Sequence, residues 1–201
     1  MGNQKTGQPD LSTKASIINK GHIFIISAPS GAGKTTIVRA VLDRFTDMLY
    51  SISYTTRKPR NGEQDGVDYN FISREDFIKR IDGGEWAEWA EVHGNHYGTS
   101  AEFLDNGLSS GHDILLDIDV QGTIQILERY PDSITIFIMP PSLETLGKRL
   151  ELRGTDSKAD IARRLVNAEK EIKKKDLYRH IVVNDQLSEA IEKLISIIEK
   201  Y

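Results

Sequence analysis

The 201-residue sequence contains no cysteine. That excludes a disulfide framework, a thiolate nucleophile and a thiolate metal site. It permits a cytoplasmic location, which is the expectation here. No apolar run approaches the 18 or so residues that a membrane span needs, and the opening MGNQKTGQPDLSTKAS has no apolar core of signal-peptide type. Positive charge is not in excess: 26 Lys and Arg stand against 30 Asp and Glu, a formal charge of −4. A general nucleic-acid binder is usually basic, so neither nucleic acid nor membrane is expected as a partner. Repeats and low-complexity segments are also missing. What is present, 38% apolar residues over this length, suffices for one domain with a small insert and a core that needs no staple.

Residues 1–20 are polar, carry Gly2, Gly7 and Pro9, and read as a flexible leader. The domain is expected over 21–201. Ile23-Phe24-Ile25-Ile26 is a short β-branched and aromatic run, a buried strand. It enters Ala28-Pro29-Ser30-Gly31-Ala32-Gly33, which must turn, and Ile37, Val38, Val41, Leu42 and Phe45 then recur at helical spacing. Further buried strands are expected at 114–118, 134–139 and 181–183. Helices are expected around Leu143–Leu150, capped by Ser142, around Ile161–Ile172, and around Leu187–Ile198. Apolar strands alternating with helices imply an α/β fold, a parallel sheet flanked by helices. Residues 50–100 interrupt that alternation and read as an inserted lobe. Strands are expected there at 51–54 and 69–72, and a short helix at 73–81 that Ser73 and Asp76 cap.

The segment from Ala28 to Thr35 fits G-x-x-x-x-G-K-[ST] except that Ala28 occupies the first glycine position. Between a buried strand and a helix, such a loop turns backbone N–H groups and a helix N-terminus toward phosphate. Lys34 would reach the β- and γ-phosphates, and the Thr35 hydroxyl would serve Mg²⁺. Asp117 and Asp119 end a strand on the side where a parallel sheet builds its site, and a period of 2 gives them one face. One could face metal-bound water and the other a substrate. Arg149 and Arg153 share a helix face, and Arg163-Arg164 follow after Gly154, as a hinged cationic arm would require. Arg57 and Arg60 flank Pro59 and could clamp a phosphate, with hydroxyls from Tyr69 and Tyr97. Glu88 lies between Trp86 and Trp89; a carboxylate there could accept the adjacent N1–H and 2-amino group of guanine. His93 and His96 lack a third ligand at helpful spacing, so zinc is not expected. The phosphate loop alone leaves an ATPase, a GTPase and a small-molecule kinase open.

Taken together, these blocks resemble guanylate kinase of the nucleoside-monophosphate kinase class, in its bacterial form, over roughly 22–194. The resemblance rests on Ser27–Lys34, Ser53–Arg60, Gly66–Phe71, Gly94–Thr99, Leu116–Gly122, the three arginines 149, 153 and 164, and Val183-Asn184-Asp185. It implies a P-loop fold with a core at 21–49, 101–150 and 165–201, a GMP-binding lobe at 50–100 and a mobile lid at 151–164. It implies ATP contacts at Ala28, Pro29, Ser30, Gly31, Ala32, Gly33, Lys34, Thr35 and Thr36, with Asn184 near the adenine. GMP contacts are implied at Ser53, Arg57, Arg60, Tyr69, Glu88, Tyr97, Thr99 and Asp119. Lys34, Arg149, Arg153, Arg164 and Asp117 match the catalytic set, with Mg²⁺ held by Thr35 and, through water, by Asp117. The implied reaction is ATP + GMP to ADP + GDP by direct transfer, with dGMP also accepted. A kinase-like domain that binds protein, or a kinase for another phosphorylated acceptor, is the alternative. Both a monomer and a homo-oligomer fit the sequence.

Overall fold

The computed structural model describes residues 20–92, 94–154 and 156–201. The expected leader lies outside the described residues except for Lys20, and so does His93. Strand β1 (Ile23–Ser27) is buried along its whole length. Its alternate side chains serve two cores, as the pleat demands. Phe24 and Ile26 pack with Ile37, Val38 and Val41 of helix α1 (Lys34–Arg44), and with Leu194, Ile197 and Ile198 of the last helix. Ile23 and Ile25 face the other way, toward Leu104, Leu108 and Ile126.

The chain continues through β2 (Leu49–Tyr50) into the inserted lobe. That lobe holds β3 (Tyr54–Thr55), β4 (Asn70–Phe71), helix α2 (Arg74–Asp82), β5 (Trp86–Val92) and β6 (Asn95–Ser100). It then returns through helix α3 (Ala101–Ser109), β7 (Ile114–Asp117), helix α4 (Val120–Arg129) and β8 (Ile134–Met139). Helices α5 (Leu143–Leu152) and α6 (Lys158–Ile172), strand β9 (His180–Val183) and helix α7 (Leu187–Ile198) complete it. The main sheet has the order β2-β7-β1-β8-β9, and all its pairs are parallel. The chain fills one side of β1 first and then crosses to the other. This reversal leaves a crevice at the carboxyl ends of the strands, where α/β sheets bind ligands.

The lobe carries its own sheet, of order β4-β3-β6-β5. Here the structure departs from the sequence expectation. The run 51–54 is not one strand: Leu49–Tyr50 ends in the main sheet, and Tyr54–Thr55 begins the second. The hairpin β5–β6 and helices α3 and α4 are additional elements. Capping follows the sequence more closely. Ser73 and Ser142 each accept from the backbone N–H three residues on. Ser100, Asp119 and Ser157 do the same for α3, α4 and α6. Helix α6 runs unbroken past Arg164, so a boundary between 164 and 165 falls inside a helix.

A bulge in β5 decides what faces what. Trp86 pairs with Ser100 and Glu88 with Thr99, so the register shifts between them. The extra residue reverses the alternation. Trp86 therefore turns to α2, where it stacks on Phe77 at 4.4 Å, and Trp89 lies near His96 on the same side. Glu88 turns the other way with Ala90 and Val92.

Candidate active site

The loop after β1 is folded by its own backbone. The Ala32 N–H donates to the Pro29 carbonyl at 3.0 Å, and Gly33 caps α1 in the left-handed region at φ 96°. A Cβ at Gly33 would stand 2.4 Å from Nδ2 of Asn184. That side chain is buried and donates to the Ala32 carbonyl at 2.7 Å. Asn184 thus touches the loop itself, a bracing contact that the sequence did not suggest. Ala28 packs against the α1–α7 core. Ser30, Thr35 and Thr36 are exposed at the mouth.

Lys34 forms an ion pair with Asp117 at the end of β7. Ser27 Oγ donates to the Ile118 carbonyl at 2.7 Å, which ties the loop's strand to the acidic turn. Asp119 is the N-cap of α4; its Oδ1 accepts from the Gly122 N–H at 2.8 Å. One of its oxygens is therefore committed to the helix.

Asp117 and Asp119 line a cleft of about 290 Å³ together with Ser53, Tyr69, Glu88, Tyr97 and Ile118. Glu88 is 7% exposed. Its Oε1 accepts from the Thr99 hydroxyl at 2.7 Å. Burial pushes its carboxyl up to about 7; the Thr99 bond opposes that shift and Asp119 adds to it. What excludes water from Glu88 is not the tryptophan pair, as its sequence neighbours suggest, but α4, whose Gly122 it touches.

At the cleft's edge, Arg57 donates from Nη1 and Nη2 to the two carboxylate oxygens of Glu63, both at 2.9 Å, and from Nε to the Tyr97 hydroxyl at 3.3 Å. The Glu63 bonds raise the guanidinium's affinity for its proton. Glu63 also accepts from the Arg60 N–H at 2.7 Å. Tyr69 lies under the Arg57 guanidinium and edge-on to Tyr97. Glu63 was not singled out in the sequence, although a carboxylate six residues from Arg57 in a tight loop is a signal of a kind. Its carboxyl is held low, chiefly by the Arg57 hydrogen bond.

On the other side of the loop, a cleft of about 390 Å³ is lined by Gly31, Gly33, Thr36, Arg149, Leu152, Arg153, Asn184 and Leu187, among others. Arg149 donates to the carbonyls of Asn184 and Asp185 at 3.0 and 3.3 Å. Arg164 donates to Ser30 Oγ at 3.0 Å and to Asp156 at 3.1 Å. The sequence did not mark Glu171 either. Half-buried on α6, its carboxyl is pushed up by burial and by Asp119, against the opposing pull of Lys34. Among the described residues, no group of three or more His, Asp or Glu could hold a metal, and no helix is long and apolar enough to cross a membrane.

A parallel sheet with helices on both faces, a glycine-rich loop from its central strand and a lysine–aspartate pair at the switch point define a P-loop α/β fold. The comparisons with known proteins agree. The model of the family described as guanylate kinase matches residues 20–201. The guanylate kinase of Geobacter sulfurreducens is 50% identical over 179 residues, covering 89% of this chain and 88% of its own. That of Thermotoga maritima is 45% identical over 179 residues, covering 89% and 86%. A crystal structure of guanylate kinase from Anaplasma phagocytophilum superposes with a TM-score of 0.71 at 32% identity, over 90% of this chain and 86% of that one. The chain belongs to the guanylate kinase family.

Proposed function

We propose that the protein transfers the γ-phosphoryl group of ATP to GMP, and to dGMP, giving ADP and GDP or dGDP. The observation that carries this reading is the composition of one cleft. A buried carboxylate held by Thr99 stands in the same cavity as Asp117, the partner of the phosphate-loop lysine.

Each Glu88 oxygen keeps a lone pair, enough to accept from N1–H and the 2-amino group of guanine. Adenine presents no such pair of donors. Ser53, Thr99 and the free oxygen of Asp119 complete the base side. Arg57, Arg60, Tyr69 and Tyr97 take the acceptor's phosphate. The loop from Ala28 to Thr36 and Lys34 take the phosphates of ATP, and the cleft between Arg149 and Leu187 takes its base end.

An oxygen of the GMP phosphate attacks the γ-phosphorus while the bond to the β–γ bridging oxygen breaks. Charge spreads over the transferring group, and Lys34, Arg149, Arg153 and Arg164 supply the opposing charge. Mg²⁺ fits the donor set at hand. One hydroxyl, Thr35, and one carboxylate, Asp117, suit an ion that keeps several waters and binds substrate phosphates. Bound with ATP, such an ion would offset negative charge on the nucleotide phosphates.

In this reading residues 50–100 are the acceptor lobe and residues 151–164 are the lid, whose closure would exclude water. The test is ADP release with GMP, dGMP, AMP, CMP and UMP as acceptors. Guanine nucleotides alone should support turnover; comparable rates with AMP would defeat the assignment.

A further inference from the structure

Helix α4 presents two residues to strand β5, one turn apart, and they flank Glu88. Gln125 pairs with the backbone of Trp89 as a strand would: its Oε1 accepts from the Trp89 N–H at 3.1 Å and its Nε2 donates to the carbonyl at 3.0 Å. Gly122 leaves an open slot. A Cβ built there would stand 2.9 Å from Glu88 Oε2 and 3.2 Å from its Cδ, while the next neighbour, Ile118 Cβ, lies at an ordinary 3.4 Å. Gly122 is not among the glycines of positive φ, so its backbone conformation does not call for glycine. A glycine inside a helix weakens it relative to alanine.

We propose that Gly122 is a positioning residue for guanine selection: its missing side chain seats the Glu88 carboxylate, while Gln125 fixes the strand that carries it. This rests on the reading of Glu88 as the base acceptor. A Cβ at Gly122 would push the carboxylate toward the cleft that it lines, where the guanine would sit. Glu88 Oε1 is held by Thr99, and the side chain is buried. The Gly122 N–H also holds Asp119, so one residue sets two of the cleft's three acidic groups, one by its backbone and one by the space above it.

The experiment is a double-variant cycle of Gly122→Ala and Glu88→Gln, read by KM for GMP, KM for ATP, kcat and thermal midpoint. Gly122→Ala should raise KM for GMP about tenfold, the scale of a displaced charge-assisted hydrogen bond. KM for ATP should stay unchanged, and the midpoint unchanged or higher, because alanine favours the helix. A purely structural role would move midpoint and activity together. In the Glu88→Gln background, adding Gly122→Ala should change KM for GMP by less than about twofold. An equal effect in both backgrounds, or a Gly122→Ala enzyme with unaltered KM for GMP beside an impaired Glu88→Gln enzyme, overturns the proposal and leaves the base assignment standing. A Glu88→Gln enzyme with full GMP selectivity overturns the base assignment itself. Should Gly122→Ala not fold, Gln125→Ala carries the test, since it should raise KM for GMP alone; an unaltered KM overturns the proposal.

Discussion

Burial raises the Glu88 carboxyl to about 7, and under the proposed function its ionised form is the one that would accept two guanine N–H groups. The sign follows. kcat/KM for GMP should rise as pH climbs through about 7. The acceptor's phosphate titrates nearby, so the Glu88 component is the part of the profile that disappears in Glu88→Gln. That variant also places an amide donor against a guanine donor. The loss, about 2–4 kcal/mol, is a fall of roughly 30- to 1000-fold in kcat/KM for GMP, with ATP affinity unaltered. A GMP-to-AMP ratio within about twofold of wild type would remove Glu88 from base reading. Stability has the opposite slope. The folded state keeps the Glu88 proton over a range in which the unfolded chain, at 4.5, has lost it. Its contribution is therefore largest below 4.5 and falls as pH rises to about 7. Lys34→Ala leaves Asp117 without its ion-pair partner and the loop without its cation. Turnover should drop at least about 100-fold with the fold retained. A folded variant with near-normal ADP release would refute the role.

Among the elements, α5 and α6 carry the arginines and enclose a small apolar cluster of Leu146, Leu150 and Ala168. Gly31 packs against Leu146 and Leu150, so this pair of helices rests on the phosphate loop. Arg149 and Arg164 already bond to the loop and to the strand end behind it. Charges brought up to a transferring group act mainly in the transition state. Arg149→Ala and Arg153→Ala should therefore lower kcat by about 10- to 100-fold and change GMP affinity far less. Steady-state kinetics with equilibrium GMP binding separates the two quantities. Weakened GMP binding at full turnover would assign these arginines to the acceptor.

At the level of the whole molecule, the cleft proposed for the acceptor lies between two sheets. β5 contributes Glu88 from the lobe, and β7 and α4 contribute Asp117 and Asp119 from the core. A ligand that bridges both stabilises the folded state by mass action. At a concentration 100 times its Kd, GMP should add about 2.7 kcal/mol, which raises Tm by roughly 5–10 °C in a domain of this size. AMP at equal concentration should raise it little. Differential scanning fluorimetry decides this, and equal shifts from both nucleotides would mean that the bridge does not read the base.

Whatever depends on neighbours along the chain is legible in the amino-acid sequence. β1 is apolar from Ile23 to Ile26 because the main sheet is covered on both faces, the phosphate loop announces itself by its glycines and lysine, and Ser73 and Ser142 cap helices by local bonds. Those signals are local, and they are legible without the fold. The second sheet was only partly legible. Its strands are short, one begins where the sequence suggests the middle of another, and pairing partners as distant as Tyr54 and Gly98 carry no local mark. The surroundings of Glu88 come from packing between elements far apart in the chain. Spacing along the strand placed it beside Trp86, but a one-residue bulge turned the two to opposite faces, and a helix more than thirty residues away supplied the wall. Packing likewise turned Asn184 onto the phosphate loop and gave Arg57 the carboxylate of Glu63. Side-chain direction across a bulge, and contact between elements far apart in the chain, depend on register and packing, which no local pattern encodes.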